Sequence, residues 1–448
     1  MYETSLLSWK DVVILPVVLF CLHIVLKTQK EQLPISLQPF FFPAWYIRVF
    51  GTLLNIAQFE FYYGQGDMFT YYTCALRILE ILLNSPLDGL AIIFSSQSQI
   101  ASSTIIDLPH QQYLATEILF VSKIGSILGL FTFGSFLGIS IFISLFCFWG
   151  CWKMYETFSQ LYPSSLKHFA YAILFVPSVW FWGTTLMKDP LSLGSLGFLT
   201  YYIFITFKKK KYSIKNFLFI LIFSYIILNT KSYILLCFLP FALIWCFSSL
   251  NFTVRIGHFY LSKLLLYLVA FPLVLVIIFI FISLINDFLG ERFALDNLFN
   301  TSEAIRELIK AATLDSDGSG YELGEIEFTL TGIIRLIPLG INVTLFRPYL
   351  WEIRKIVNIP SVIESFMTLL ITIWVIVKSL RNNSLLTSLR NKDVIFCLGF
   401  SLTFAFFIGI STFNFGALVR YKIPLLPFFF SSLVIMYNLA SSPSKHIS

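Results

Sequence analysis

The sequence predicts an all-α fold, a polytopic integral membrane helix bundle of about eleven spans with one large outer loop and a re-entrant or interfacial segment. Three observations predict it. Of 448 residues, 57% are hydrophobic and only 12% charged, whereas soluble domains carry about a quarter charged residues. Apolar runs of bilayer length recur from end to end, and the mean hydropathy is +0.81. Lysines and arginines gather in the short loops between those runs, as the positive-inside rule requires. The same distribution accounts for the formal net charge of +7 without a nucleic-acid partner.

The first apolar run, 12–26, follows MYETSLLSWKD, which contains acidic residues and no small-residue cleavage site. It reads as a retained span. Further runs lie at 40–62, 120–150, 168–183, 190–207, 216–229, 233–248, 262–286, 359–378, 394–412 and 421–440. The strongest short basic loop, FKKKKYSIK (207–215), belongs on the cytoplasmic side. Counting back from it puts Lys188, Asp189 and Asp67 outside, and Lys153, Lys167, Lys27 and Lys30 inside. The N-terminus then lies outside and the C-terminus in the cytoplasm.

The runs 216–229 and 233–248 are each about 14 residues, or about 21 Å of helix, short of a bilayer. They are expected to go up and back as a pair, with NTKSY (229–233) between them carrying Lys231 into a water-filled cavity. The segment TGIIRLIPLGINVTLF (331–346) is expected to be re-entrant or interfacial. Were it a span, Lys378, Arg381, Arg390 and Lys392 would all face outward, against the positive-inside rule. Three regions result: membrane helices over 1–286 with an outer loop at 62–118, an outer loop over 287–358 holding the interfacial segment, and membrane helices over 359–448.

All seven cysteines fall within or beside apolar runs, with no CxxC spacing, and read as small core residues. The five histidines form no cluster. Four polar stretches interrupt the apolar chain: YYGQGDMFTYY (62–72), PSVWFWGTTLMKDP (177–190), LFRPYLWEIRK (345–355) and FNFGALVRYKIPLLP (413–427). The orientation read from basic loops brings all four to the outer side.

Asp67 has two readings. It is a turn former after Gly66, or a general base that takes a proton from an attacking hydroxyl, with Tyr63 and Tyr71 as a platform for a sugar ring or lipid head. Lys188 is a candidate point charge for phosphate, and Asp189 a candidate metal ligand or orienter of Lys188. The bland alternative is an aromatic belt, Trp180 and Trp182, ahead of a helix-starting Asp-Pro. Arg347 with Glu352, and Arg420 with Lys422, add cations on the same face. Arginine suits bidentate phosphate contact, which makes Arg347 and Arg420 candidates for a phosphate clamp; snorkelling to headgroups is the other reading. In DSDGSGYELGEIE (315–327), Asp315, Asp317, Ser319 and Gly320 follow the start of an EF-hand loop, but Ile326 stands where its bidentate glutamate belongs. A solvated acidic loop is the favoured reading, and no metal site is assigned. Its DxD triplet keeps a divalent metal open as a cofactor.

A carboxylate in the first sizeable outer loop, an aromatic platform and outward cations on later loops resemble the GT-C class of membrane glycosyltransferases. The phrases PSVWFWGTTLMKD, LFRPYLWE and FGALVRYKIPLLP are similar to those of uncharacterised bacterial envelope-polysaccharide membrane proteins. The resemblance implies a bacterial cytoplasmic-membrane enzyme that uses a polyprenyl-phosphate-linked sugar, alongside membrane lipid and other polysaccharide-assembly proteins. It implies Asp67 as base and donor-phosphate contacts for Lys188, Arg347, Arg420 and Lys422. Members of that class often carry two adjacent acidic residues where Asp67 stands alone. An O-antigen-type polymerase or ligase that relies on its arginines is an alternative, and a lipid-linked saccharide carrier is another.

Overall fold

The structure, a computed structural model, describes residues 5–101, 115–247, 255–256, 259–260, 320–321, 330–352, 356–412 and 414–441. The expected span 262–286, most of the outer loop 287–358 and nearly all of the acidic stretch 315–327 lie outside them. The chain divides into two compact units, Met1–Tyr202 with Phe217–Ser232, and Ile203–Asn216 with Tyr233–Ser448. Helices build both, and the only sheet among the described residues pairs Arg255–Ile256 with Phe259–Tyr260.

The first unit begins with α1 (Asp11–Glu31), whose buried Asp11 accepts from the Ser8 amide at 2.7 Å and from the Ser135 hydroxyl. Ser135 in turn caps α7 (Phe136–Leu161) by accepting from Gly138 N at 2.9 Å, so one acid pins two helix starts. Helix α2 (Gln38–Gln58) runs on into a π-helical turn, Phe59–Tyr63, and stops at Gly64, whose φ of 64° is left-handed. Helix α3 (Asp67–Asn84) buries Met68, Tyr71, Ala75, Ile78 and Leu82, spaced three and four apart, and packs against α6 (Thr116–Phe131). Between them lie the short α4 (Pro86–Phe94) and α5 (Gln97–Ala101).

Two expected spans are broken by local chemistry. The run 120–150 splits at Phe133 and Gly134, both at positive φ, into α6 and α7. The run 168–183 splits before Pro177 into α8 (Leu166–Ile173) and α9 (Pro177–Trp182), since proline starts a helix more readily than it continues one. Helix α10 (Lys188–Ile203) meets α7 backbone to backbone. A Cβ on Gly150 would stand 2.0 Å from Gly194 O, and one on Gly197 2.1 Å from Gly150 O. Such small-residue contacts let helices approach where lipid offers no hydrophobic drive. Helix α11 (Ile214–Phe247) carries Phe219 and Phe223 against Tyr202, and its helical course fails at Lys231, where φ is −146° and ψ is 74°.

In the second unit, the end of α11 places Trp245 flat on Phe396, ring centroids 4.4 Å apart. Helix α12 (Leu330–Phe346) holds the segment expected to be re-entrant or interfacial. It packs against α15 (Lys392–Ser411), with Thr344 donating to Ala405 O at 2.7 Å and Gly340 backbone against Gly409. These contacts run antiparallel and set the segment beside an apolar helix rather than flat across its end. Helices α13 (Ile359–Arg381), α14 (Leu385–Arg390), α16 (Phe415–Tyr421) and α17 (Leu426–Ser441) complete the unit, with a 65° bend between α16 and α17.

Among the described residues seven helices are long and apolar enough to cross a membrane, or eight if the bent pair counts as one. The expected count of about eleven is thus not supported among the described residues, which leave out the expected span 262–286. Broken runs account for part of the difference, and 216–248 forms one helix interrupted at Lys231. A helical membrane bundle is the class that results.

Candidate functional site

Asp67 is the first residue of α3 and is exposed. It follows Gly66, whose φ of 133° only glycine adopts freely and whose added Cβ would meet Phe59 at 2.8 Å. The acid thus stands at a helix N-terminus, where the backbone dipole favours a negative charge. Beside it in the chain, Phe61, Tyr62 and Tyr63 are all exposed. Gln58 Nε2 donates to the Tyr63 hydroxyl at 3.3 Å, and the Tyr63 ring lies 5.0 Å from Tyr62 and 5.2 Å from Phe59. Tyr71 corrects its assignment to this platform. Its ring is 2% exposed within the apolar core that holds Met68, Phe69 and Tyr72, because α3 turns that face inward.

The second polar stretch of this unit folds into a buried turn between α9 and α10. Lys188 opens α10 and is partly exposed, while Asp189 is fully buried. Asp189 Oδ1 accepts from Lys231 Nζ at 2.5 Å, both side chains being 1% exposed or less. Lys231, expected to reach a water-filled cavity, ends in a buried ion pair. A carboxylate and an ammonium held in such a place neutralise each other, because an isolated charge there is costly.

Sequence reasoning missed Arg48. It lies mid-way along α2, fully buried, and donates from Nη1 to Gly183 O at 3.2 Å and to Cys147 Sγ at 3.3 Å. Its Nε and Nη2 find no hydrogen-bond acceptor among the described residues. Thr52 pairs with Ser144 at 2.8 Å, and Asn55 donates to Phe181 O at 3.1 Å. Arg48, Thr52 and Asn55 are spaced four and three apart on one face; Arg48 and Asn55 hold the carbonyl end of α9, while Thr52 joins Ser144 of α7. A lone arginine in an apolar run with polar residues at helical spacing was the available signal.

In the second unit Arg347 and Glu352 form a two-pronged pair. Arg347 Nε donates to Glu352 Oε1 and Oε2 at 3.0 and 3.1 Å, and Nη2 also donates to Oε1. Glu352 accepts the Tyr349 amide at 2.8 Å. Aromatic rings surround the guanidinium, with Cζ 5.3 Å from Phe415, 5.6 Å from Tyr321 and 5.9 Å from Tyr349. Lys422, 1% exposed, donates to Ser365 Oγ at 3.1 Å, and Ser365 donates to Arg347 O at 3.0 Å. Arg420 is partly buried in the last turn of α16.

Arg347, expected with Arg420 to clamp a phosphate, has one guanidinium edge on Glu352, and Lys422, expected to contact donor phosphate, has its ammonium enclosed. The structure thus joins Asp189 with Lys231, and Arg347 with Glu352 and, through Ser365, Lys422, while Asp67 and Tyr63 are exposed at nearby positions of the chain. Among the described residues no three His, Cys, Asp or Glu side chains gather as a metal-holding group. No family model, curated protein or solved structure matches the chain.

Proposed function

We propose that this chain is a membrane glycosyltransferase that moves a sugar from a polyprenyl-phosphate donor to an acceptor hydroxyl at the outer face of the cytoplasmic membrane, in envelope polysaccharide assembly. One observation carries the reading: an exposed carboxylate, Asp67, heads a helix directly beyond a span-length apolar helix, next to three exposed aromatic side chains. Aromatic faces bind sugar rings, and a carboxylate there takes the acceptor's proton as its oxygen attacks the anomeric carbon. The bond between that carbon and the phosphate oxygen breaks, and the lipid phosphate leaves with the electron pair. Lys188, partly exposed at the start of α10, is the cation assigned to the departing phosphate. The polymerase or ligase alternative differs in its expectation that Arg347 and Arg420 matter more than Asp67.

A second reading has its own support. The buried Asp189–Lys231 pair at a helix break has the form of the intramembrane ion pairs that line transport pathways. A carrier for lipid-linked saccharides would use it.

The test is turnover by purified protein in lipid nanodiscs supplied with labelled polyprenyl-phosphate hexoses and an acceptor oligosaccharide extract. Wild type is expected to release polyprenyl phosphate, and Asp67→Asn to slow that release by about 10²–10⁴-fold. Equal rates for the two proteins would overturn the assignment of Asp67. Movement of intact donor across the bilayer without bond cleavage would favour the carrier.

A further inference from the structure

One end of the second unit combines exposed cations with exposed leucines. Lys208 Nζ stands 3.5 Å from Asp393 Oδ1 and 5.0 Å from the Trp245 ring, which joins the basic segment after α10 to the start of α15. At that same start, α14 connects back to α13 and packs against α17. Lys378 lies over Tyr437 at 3.7 Å, and Asn382 donates to Ala440 O at 2.6 Å, which brings the ends of α13 and α17 together. Lys209, Lys210, Lys211, Arg381 and Arg390 are exposed on these segments.

Within residues 204–216 and 378–393 the sequence holds one acid, Asp393. It is engaged, since Trp245 Nε1 donates to it at 2.6 Å and Lys208 faces it. The positive charge of this end is therefore uncompensated from within its own segments. Between the cations, Leu380, Leu386 and Leu389 are 55%, 62% and 42% exposed.

We propose that this end of the unit docks on the anionic headgroups of a phospholipid leaflet, with the lysines and arginines on the phosphates and the three leucines at the acyl boundary. Charge complementarity argues for a phosphate-bearing partner, and the leucines argue for a lipid rather than a free ion or an acidic protein in water. Cations beside apolar side chains at the ends of span-length helices match the interfacial layer in both chemistry and depth. The proposal is independent of the transferase reading.

The experiment places the full chain in nanodiscs of phosphatidylcholine alone or mixed with phosphatidylglycerol. Thermal unfolding is followed by tryptophan fluorescence, and retained lipid is counted by native mass spectrometry. Wild type is expected to unfold at a higher temperature with phosphatidylglycerol, and to lose that advantage in about 0.5 M salt, where charge attraction is screened within a few ångström. Replacing Lys209, Lys210, Lys211 and Arg390 with Gln is expected to lower phosphatidylglycerol occupancy about fivefold per cation removed. Leu386→Ser with Leu389→Ser is expected to lower retention of both lipids alike. A salt-independent preference, or a full preference retained by the quadruple variant, would overturn the proposal. Displacement of phosphatidylglycerol by inorganic phosphate would also overturn it, pointing to a site for free phosphate. The salt titration uses wild type alone and decides the matter even if the quadruple variant does not fold.

Discussion

Each unit contains one ion pair drawn from a polar stretch of the sequence, and the two pairs are built differently. Asp189 and Lys231 meet Nζ to Oδ1, with both side chains sealed from solvent. Arg347 and Glu352 meet through several hydrogen bonds at the edge of an aromatic cage, with their side chains 18% and 17% exposed. The first pair depends on mutual neutralisation, because neither charge has water to fall back on. The second depends on geometry: a planar guanidinium meets a planar carboxylate and three rings, and solvent still reaches it. Buried charge and shaped charge therefore support different functions, and neither is as exposed as the carboxylate of Asp67.

The largest effect expected to sharpen this contrast is at Lys231. Lys231→Met leaves Asp189 without its cation and is expected to lower unfolding stability by about 3–5 kcal/mol, while Asp189→Leu combined with Lys231→Met recovers most of the loss. Denaturation in mild detergent, followed by tryptophan fluorescence, checks both. If the single and double variants unfold alike, the pair is not a neutralising one. Glu352→Gln is next. It removes charge-assisted bonds at a partly wetted site, with a loss of about 1–3 kcal/mol expected on the same assay; a loss as large as that of Lys231→Met would erase the distinction between the pairs.

Arg48 refines the comparison from another side. Its replacement by Met removes a buried charge that no carboxylate among the described residues is seen to pair with, but also frees Gly183 O. The two terms oppose each other, and a net change within about 1 kcal/mol is expected. A loss of the size expected for Lys231→Met would mean that Arg48 is compensated by more than a carbonyl and a thiol. The smallest effect on stability belongs to Asp67→Asn, within about 0.5 kcal/mol as for an ordinary surface change, even though it is the variant expected to stop turnover.

How much of this was legible in the sequence follows from the range over which each signal acts. Local signals carried through. The class of fold followed from apolar runs, the run ending at 62 fell beside the stop at Gly64, and the polar NTKSY marked the break at Lys231, whereas Asp67, read as a turn former, begins a helix. The partnership of Lys231 with Asp189 was not legible, because 42 residues separate them and either acid or solvent would satisfy an isolated lysine on paper. Tyr71 failed for the opposite reason. Composition grouped it with the exposed tyrosines, but helical spacing from Met68 turns it inward, and that spacing outweighs its neighbours. Span counting failed where Phe133, Gly134 and Pro177 interrupt apolar runs that hydropathy alone reads as continuous.

The central claim, a proposal, is that the exposed carboxylate of Asp67 does the chemistry and the sealed pair holds the structure. Its most direct test replaces the chromosomal gene with Asp67→Asn, or with Asp189→Leu combined with Lys231→Met, at matched amounts in the membrane, and displays envelope polysaccharide and lipid-linked sugars on gels. The account predicts that Asp67→Asn abolishes polymer while lipid-linked sugar accumulates, and that the double variant still makes polymer. Normal polymer from Asp67→Asn, with none from a normally abundant double variant, would contradict it and move function to the buried pair.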